Sequence, residues 1–184
     1  MSNATLFVWR HPRPEGAAGR CIGAGTDLPV HWRRSKRLAR RIQALARRER
    51  LAHEVWTSPL QRCADVGRWL RRWGWRHRQC RDLAELDFGR WDGQHWDRIG
   101  ANAMDAWIAD FAQHAPGGGE SLQSLLQRAA LWQAGAGPWT GGTLLVVSHG
   151  GWMLARRWRQ QHGAALPDAA HWPRPPRYAE CWQL

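Results

Sequence analysis

Apolar and polar positions follow two rhythms along this chain. Short runs with an apolar centre occur at Leu6-Phe7-Val8-Trp9, Glu54-Val55-Trp56-Thr57 and Leu144-Leu145-Val146-Val147. Runs of this length bounded by polar residues fit strands buried on both faces. Elsewhere apolar residues recur every three or four positions: Leu38, Ile42 and Leu45; Val66, Trp69, Leu70 and Trp73; Leu122, Leu125, Leu126 and Ala129; Leu154, Ala155 and Trp158. That spacing places each set on one helix face. Strands alternating with helices predict an α/β fold, a three-layer sandwich whose mostly parallel central sheet is flanked by helices.

Local signals add detail. Ser58-Pro59 is expected to cap a helix that starts with a first-turn proline, and Ser148 with Gly150-Gly151 to open another. Tyr178 to Leu184 and Arg81 to Ala84 are expected as further short strands. From 85 to 121 the rhythm breaks, with Gly89, Gly93, Gly100 and Gly117-Gly118-Gly119 interrupting weak helical pieces. This stretch is expected to pass over the sheet as a cap. No repeat or low-complexity linker divides the chain, so residues 1–184 are expected to form one domain.

Composition narrows the function classes. A chain of 184 residues that is 43% hydrophobic and 23% charged is neither disordered nor collagen-like. Its net charge of +12 brings nucleic acid, an anionic membrane or a phosphorylated substrate to mind. Only Lys36 is a lysine, and Asn, Ile and Tyr are scarce, so GC-rich codons and selection for guanidinium chemistry are equal readings of the arginine excess. The charge is also uneven. Residues 33–81 hold sixteen basic and three acidic side chains, a net +13, whereas 82–120 hold eight acidic and two basic ones, a net −6. A basic nucleic-acid-binding module is the competing class, with Trp69, Trp73 and Trp75 among arginines as a stacking surface. The simpler reading is an amphipathic helix with a solvated basic face and Trp69 and Trp73 in the core, so nucleic acid is not the expected partner. The four cysteines form no C-x-x-C pair, and no stretch has the makings of a leader or a membrane span. A cytoplasmic protein with reduced thiols is expected.

In open parallel sheets ligands bind at the carboxyl ends of the strands. Here the first run leads into Arg10-His11, the second into Ser58-Pro59-Leu60-Gln61-Arg62, and the third into Ser148-His149-Gly150-Gly151. Parallel strands would gather two histidines and two arginines at one edge, beside the anion-binding backbone N–H groups of helix N-termini. That is a phosphate site for a small phosphorylated substrate, built with no metal and no cofactor.

These residues in this order resemble the histidine phosphatase superfamily, which includes the cofactor-dependent phosphoglycerate mutases. The likeness extends through Glu85-Leu86-Asp87-Phe88-Gly89-Arg90-Trp91-Asp92-Gly93, Pro116-Gly117-Gly118-Gly119-Glu120-Ser121 and Val147-Ser148-His149-Gly150-Gly151. Arg10-His11-Pro12-Arg13-Pro14, Gly19-Arg20-Cys21-Ile22-Gly23 and Thr26-Asp27-Leu28-Pro29 are most similar to its α-ribazole phosphatase branch, which acts in cobalamin biosynthesis. The resemblance implies a phosphomonoester hydrolase with a phosphohistidine intermediate. His11 would be the nucleophile; Arg10, Arg62 and His149 would hold the phosphoryl oxygens, and Glu85 would serve as acid and then base. An acid in that role must hold a proton near neutral pH, which a dianionic phosphate beside it favours. Mutase-like phosphoryl transfer and a broad sugar-phosphate phosphatase are the alternatives.

The chain departs from the family pattern in places. Pro12-Arg13-Pro14 stands where relatives carry glycine and a hydroxyl residue, so a backbone donor and a hydroxyl are missing beside the nucleophile. Arg13 or Arg20 is expected to compensate, with Arg20 and the Gly150 backbone counted among the phosphate ligands. Asp92 replaces the usual glutamate and is expected to serve a turn. Glu120 is expected to satisfy a helix N-terminus.

Overall fold

Leu6 and Val8 of β1 (Thr5–Arg10) face one side of a five-stranded sheet, and Phe7 and Trp9 face the other. In the computed structural model, which describes residues 5–133 and 142–184, β1 lies beside β4 (Thr143–Ser148). Beyond β4 come β2 (Glu54–Thr57) and the edge strand β3 (Arg76–Gln79). The short β5 (Cys181–Gln183) pairs with the outer side of β1. All neighbours run parallel except β1 and β5.

Helices cover both faces. Leu38, Ala39 and Ile42 of α1 (Trp32–Arg48) and Val66 and Leu70 of α2 (Gln61–Arg72) bury against Trp9, Val55, Leu145 and Val147. On the other face, Leu122, Leu125 and Leu126 of α4 (Leu122–Leu131) and Trp152, Met153 and Ala155 of α5 (Gly150–His162) bury against Leu6, Val8, Leu144 and Val146. Full burial of such a side chain is worth roughly 1.5–3 kcal/mol, so these two clusters dominate the stability. The expected three-layer α/β sandwich is therefore the observed fold. The segment from Leu86 onward, which includes α3 (Ala101–Ala109), has a small cluster of its own around Trp91, Ile99 and Cys21.

Three local expectations are corrected. Arg81–Leu83 forms a 3-10 turn, and the short strand lies instead at Arg76–Gln79. Its sequence, Arg-His-Arg-Gln, holds no apolar residue, so a hydrophobic pattern could not reveal it. What holds it is an edge position, ion pairs from Arg76 and Arg78 to Glu54 at 3.7 and 2.8 Å, and an inward His77. That imidazole lies 2.8 Å from Thr57 Oγ1 and packs where a Cβ on Gly67 would otherwise sit. Ser58 does not cap α2: the helix begins at Gln61, whose N–H is accepted by the Asp27 carboxylate at 2.8 Å. Trp69 and Trp73 are only half-buried at the rim of their cluster, with Lys36 Nζ and Arg72 Cζ each 4.9 Å from the Trp69 ring centre. Among the described residues no helix is long and apolar enough to cross a membrane.

Candidate active site

Strand register decides what meets at the carboxyl edge. β1 and β4 pair with Arg10 opposite Ser148, and His11 N–H continues the ladder to the Ser148 carbonyl at 2.9 Å. Thr57 pairs with Val147, and Ser58 N–H reaches the Val147 carbonyl at 3.1 Å. The residues that follow β1, β2 and β4 therefore emerge side by side. His11 and His149 are buried with ring centres 4.9 Å apart.

The hydrogen bonds of His11 fix its tautomer. Nδ1 lies 2.8 Å from the Pro12 carbonyl, which can only accept, so Nδ1 carries the proton and Nε2 keeps its lone pair. The ring stays neutral because its basicity is driven well below the ordinary imidazole value. Burial is the main cause, aided by Arg62 and Arg10 and only partly opposed by the Pro12 bond. His149 is driven down in the same way, first by burial and then by Arg62, His11, Arg10 and Arg128. Its Nδ1 accepts from Arg62 Nε at 3.3 Å, and its Nε2 lies 3.4 Å from Cys63 Sγ. Burial pushes the Cys63 thiol up, so it stays protonated and donates to the Ser148 carbonyl.

Both arginines are braced and still hold donors in reserve. Arg62 is wholly buried and donates to the Thr26 and Gly23 carbonyls at 2.7 Å each, with Asp27 3.7 Å away. Together with the His149 bond this engages three of its five N–H groups. Arg10 donates through Nη1 to the Pro176 carbonyl at 2.7 Å, and its guanidinium carbon stands 4.0 Å over the Tyr178 ring. Among the described residues its Nε is buried without a hydrogen-bond partner. A Cβ at residue 150 would come within 3.3 Å of that nitrogen, so glycine there leaves room for the guanidinium and for the open N–H groups of α5.

Glu85 reaches the same place from a different segment. Its Oε2 accepts from Gly151 N–H at 3.2 Å and its Oε1 from Leu86 N–H at 3.1 Å. Behind it, Arg128 of α4 donates to the carbonyls of Asp82, Ala84 and Glu85 at 2.7, 2.9 and 3.4 Å. Glu120 grips the same guanidinium at 3.1 and 2.8 Å. Glu120 thus serves an ion pair, contrary to the expected helix N-terminus, because Ser121 already caps α4 through Ser124 N–H. Asp92 does serve a turn: it accepts from Gly23 and Gly25 N–H at 2.9 and 2.7 Å.

Arg10, His11, Arg62, Glu85, His149 and Gly150 are therefore brought together, and Arg20 is not. The Arg20 side chain is exposed and donates to the Gly93 carbonyl at 2.9 Å, bracing the loop through which it pairs with His95. Sequence reasoning missed Asp27, Arg128 and Tyr178 as site-builders. Asp27 and Arg128 act through backbone groups remote in sequence, and Tyr178, whose ring centre is 5.6 Å from that of His11, lies in no motif. Among the described residues no group of three or more His, Cys, Asp or Glu could hold a metal ion.

A neutral, correctly protonated imidazole between two guanidinium groups can accept a phosphoryl group, and the carboxylate beside it can move a proton. The family profile described as "Histidine phosphatase superfamily (branch 1)" matches residues 6–173. The solved structure of a mycobacterial glucosyl-3-phosphoglycerate phosphatase is 25% identical and superposes with a TM-score of 0.73, over 98% of this chain and 89% of that one. The α-ribazole phosphatase from Shigella flexneri, 24% identical, has the same fold at a TM-score of 0.64, over 84% of this chain and 78% of that one. No curated protein sequence matches.

Proposed function

The chain belongs to branch 1 of the histidine phosphatase superfamily and is a phosphatase, and from this we propose that it hydrolyses phosphomonoesters through a phosphohistidine on His11. Nε2 of neutral His11 attacks phosphorus, the P–O bond to the leaving group breaks, and Glu85 protonates the departing oxygen. Glu85, now a carboxylate, takes a proton from water as that water attacks the phosphohistidine, which frees inorganic phosphate and returns His11 to its neutral form. Arg10, Arg62, His149 and the Gly150 N–H hold the equatorial oxygens, whose charge is stabilised best in the transition state.

The observation that supports this most strongly is the Nδ1–H bond from His11 to the Pro12 carbonyl, which aims a lone pair while burial, aided by Arg62 and Arg10, keeps the ring unprotonated. We read residues 1–184 as one domain in which 85–121 form a cap bearing the acid at its root. Two substrates are candidates. α-Ribazole 5′-phosphate is supported by the motifs at Arg10–Pro14, Gly19–Gly23 and Thr26–Pro29. Glucosyl-3-phosphoglycerate is supported by the mycobacterial likeness.

The test is release of inorganic phosphate from p-nitrophenyl phosphate and a panel that includes both candidates, with chelator present. Turnover lost in His11→Ala and severely slowed in Glu85→Ala is the expected result. Activity that survives His11→Ala, or that needs an added metal, would overturn the mechanism.

A further inference from the structure

Beside the nucleophile a cleft of about 200 Å³ opens between Pro12, Tyr178 and the first turns of α1, and four arginines line it: Arg13, Arg34, Arg37 and Arg41. It adjoins the candidate site, since Pro12 O accepts from His11 and the Tyr178 ring touches both Arg10 and His11. We propose that this cleft binds a second anionic group of the substrate, so that the preferred substrates are phosphomonoesters bearing a further phosphoryl or carboxylate group. This rests on the reading of His11 as phosphoryl acceptor and adds the substrate class.

The sequence of α1 puts the charge there. Arg34, Arg37 and Arg41 are spaced three and four apart around Leu38, so they project from one helix face into one space. Like charges at that spacing destabilise a helix, and so do Arg33 and Arg34 at an N-terminus with no acidic residue in its first turn. No acidic residue lines the cleft, and among the described residues none of its four guanidinium groups is in an ion pair.

The groups are nevertheless oriented. Arg34 Nη1 donates to the Arg13 carbonyl at 3.1 Å, which ties the loop after His11 to the helix, and Arg41 Nη1 donates to the Ala179 carbonyl at 2.9 Å, behind Tyr178. Each contact uses one nitrogen and leaves the rest of the fork to the cleft. An anion there would relieve the mutual repulsion and complement the helix dipole at once. A phosphomonoester with a second anionic end engages both sites, whereas α-ribazole 5′-phosphate engages only the first. The cleft thus favours the phosphoglycerate-type candidate of the two.

The experiment compares a matched pair, glucose 6-phosphate and glucose 1,6-bisphosphate, on wild type, Arg37→Glu and Arg13→Gln. The bisphosphate should have the higher kcat/KM on wild type, and Arg37→Glu should lower the bisphosphate-to-monophosphate ratio at least tenfold, mainly through KM. The preference should also weaken with added salt. Titration of the same two ligands into His11→Ala and His11→Ala/Arg37→Glu reads the cleft without catalysis. A tenfold weaker bisphosphate affinity in the double variant supports the cleft even if neither sugar phosphate turns over. An equal preference in wild type and both variants, in turnover and in binding, overturns it, and loss of all turnover with the binding preference intact overturns only the phosphohistidine reading.

Discussion

The Glu85 carboxylate rests on the first turn of α5: its Oε2 accepts the Gly151 N–H, and a Cβ at residue 151 would overlap its Oε1. Glycine is required there by the close approach of an acid. Gly151→Ala should therefore push the carboxylate off its seat and leave the helix, which gains propensity, folded. A fall of about 100-fold in kcat with little change in melting temperature is expected from such a displacement. Wild-type kcat in this variant would remove Glu85 from proton transfer.

Arg128 acts on the same acid from behind. Its guanidinium bonds three consecutive-region carbonyls, at Asp82, Ala84 and Glu85, and pairs with a mostly buried Glu120. Removing it in Arg128→Met leaves Glu120 unpaired, at a cost of about 1–3 kcal/mol in a denaturant titration. The positioning role predicts more than that: kcat falls while KM holds, and Arg128→Lys recovers stability but not kcat, since a point charge cannot fork to five acceptor atoms. Equal rescue of both by lysine would reduce Arg128 to a structural ion pair.

Asp27 caps α2 from a distant loop and sits 3.7 Å from Arg62. Asp27→Ala should cost about 1 kcal/mol, the usual worth of a helix cap, and raise KM by loosening the turn that carries Arg62. Urea unfolding and steady-state kinetics on the same sample test both effects.

Three imidazoles make the fold acid-sensitive. His11 and His149 lie well below the ordinary 6.5, and His77 is lowered to about 4, by burial first and then by Arg71 and Arg68. Below about pH 6.5 the unfolded chain takes up protons that the folded chain refuses, so stability falls as the pH drops, for His77 until about pH 4. The urea midpoint should decline steadily from pH 7 to 4.5, and His77→Gln should show a shallower decline. A midpoint that stays flat over this range would mean that these rings take up protons as readily in the fold as in the unfolded chain.

What was legible in the sequence was what packing and strand ends advertise. β1, β2 and β4 are apolar because helices bury them from both sides; Arg10 ends β1, His11 and His149 stand directly after strands, and Arg62 lies in the first turn of the helix after β2. β3 was hidden because Arg76 and Arg78 face outward at a sheet edge and only His77 turns in. Asp27, Arg128 and Tyr178 were hidden because each works on backbone or a ring brought near by the fold, over 34 residues from Asp27 to Gln61 and 43 from Arg128 to Glu85. Arg20 misled because an arginine in a glycine-rich loop looks the same whether it meets a phosphate or the Gly93 carbonyl.

A covalent phosphoryl group on His11 is the intermediate on which this mechanism turns. Wild-type protein mixed with a 32P-labelled phosphomonoester and quenched within milliseconds should carry acid-labile, base-stable label on the peptide that contains His11, with His11→Ala unlabelled and Glu85→Ala accumulating label when the leaving group is good enough to depart unprotonated. Turnover by wild type with no label on His11 at any quench time, and with oxygen chemistry consistent with direct attack by water, would contradict it.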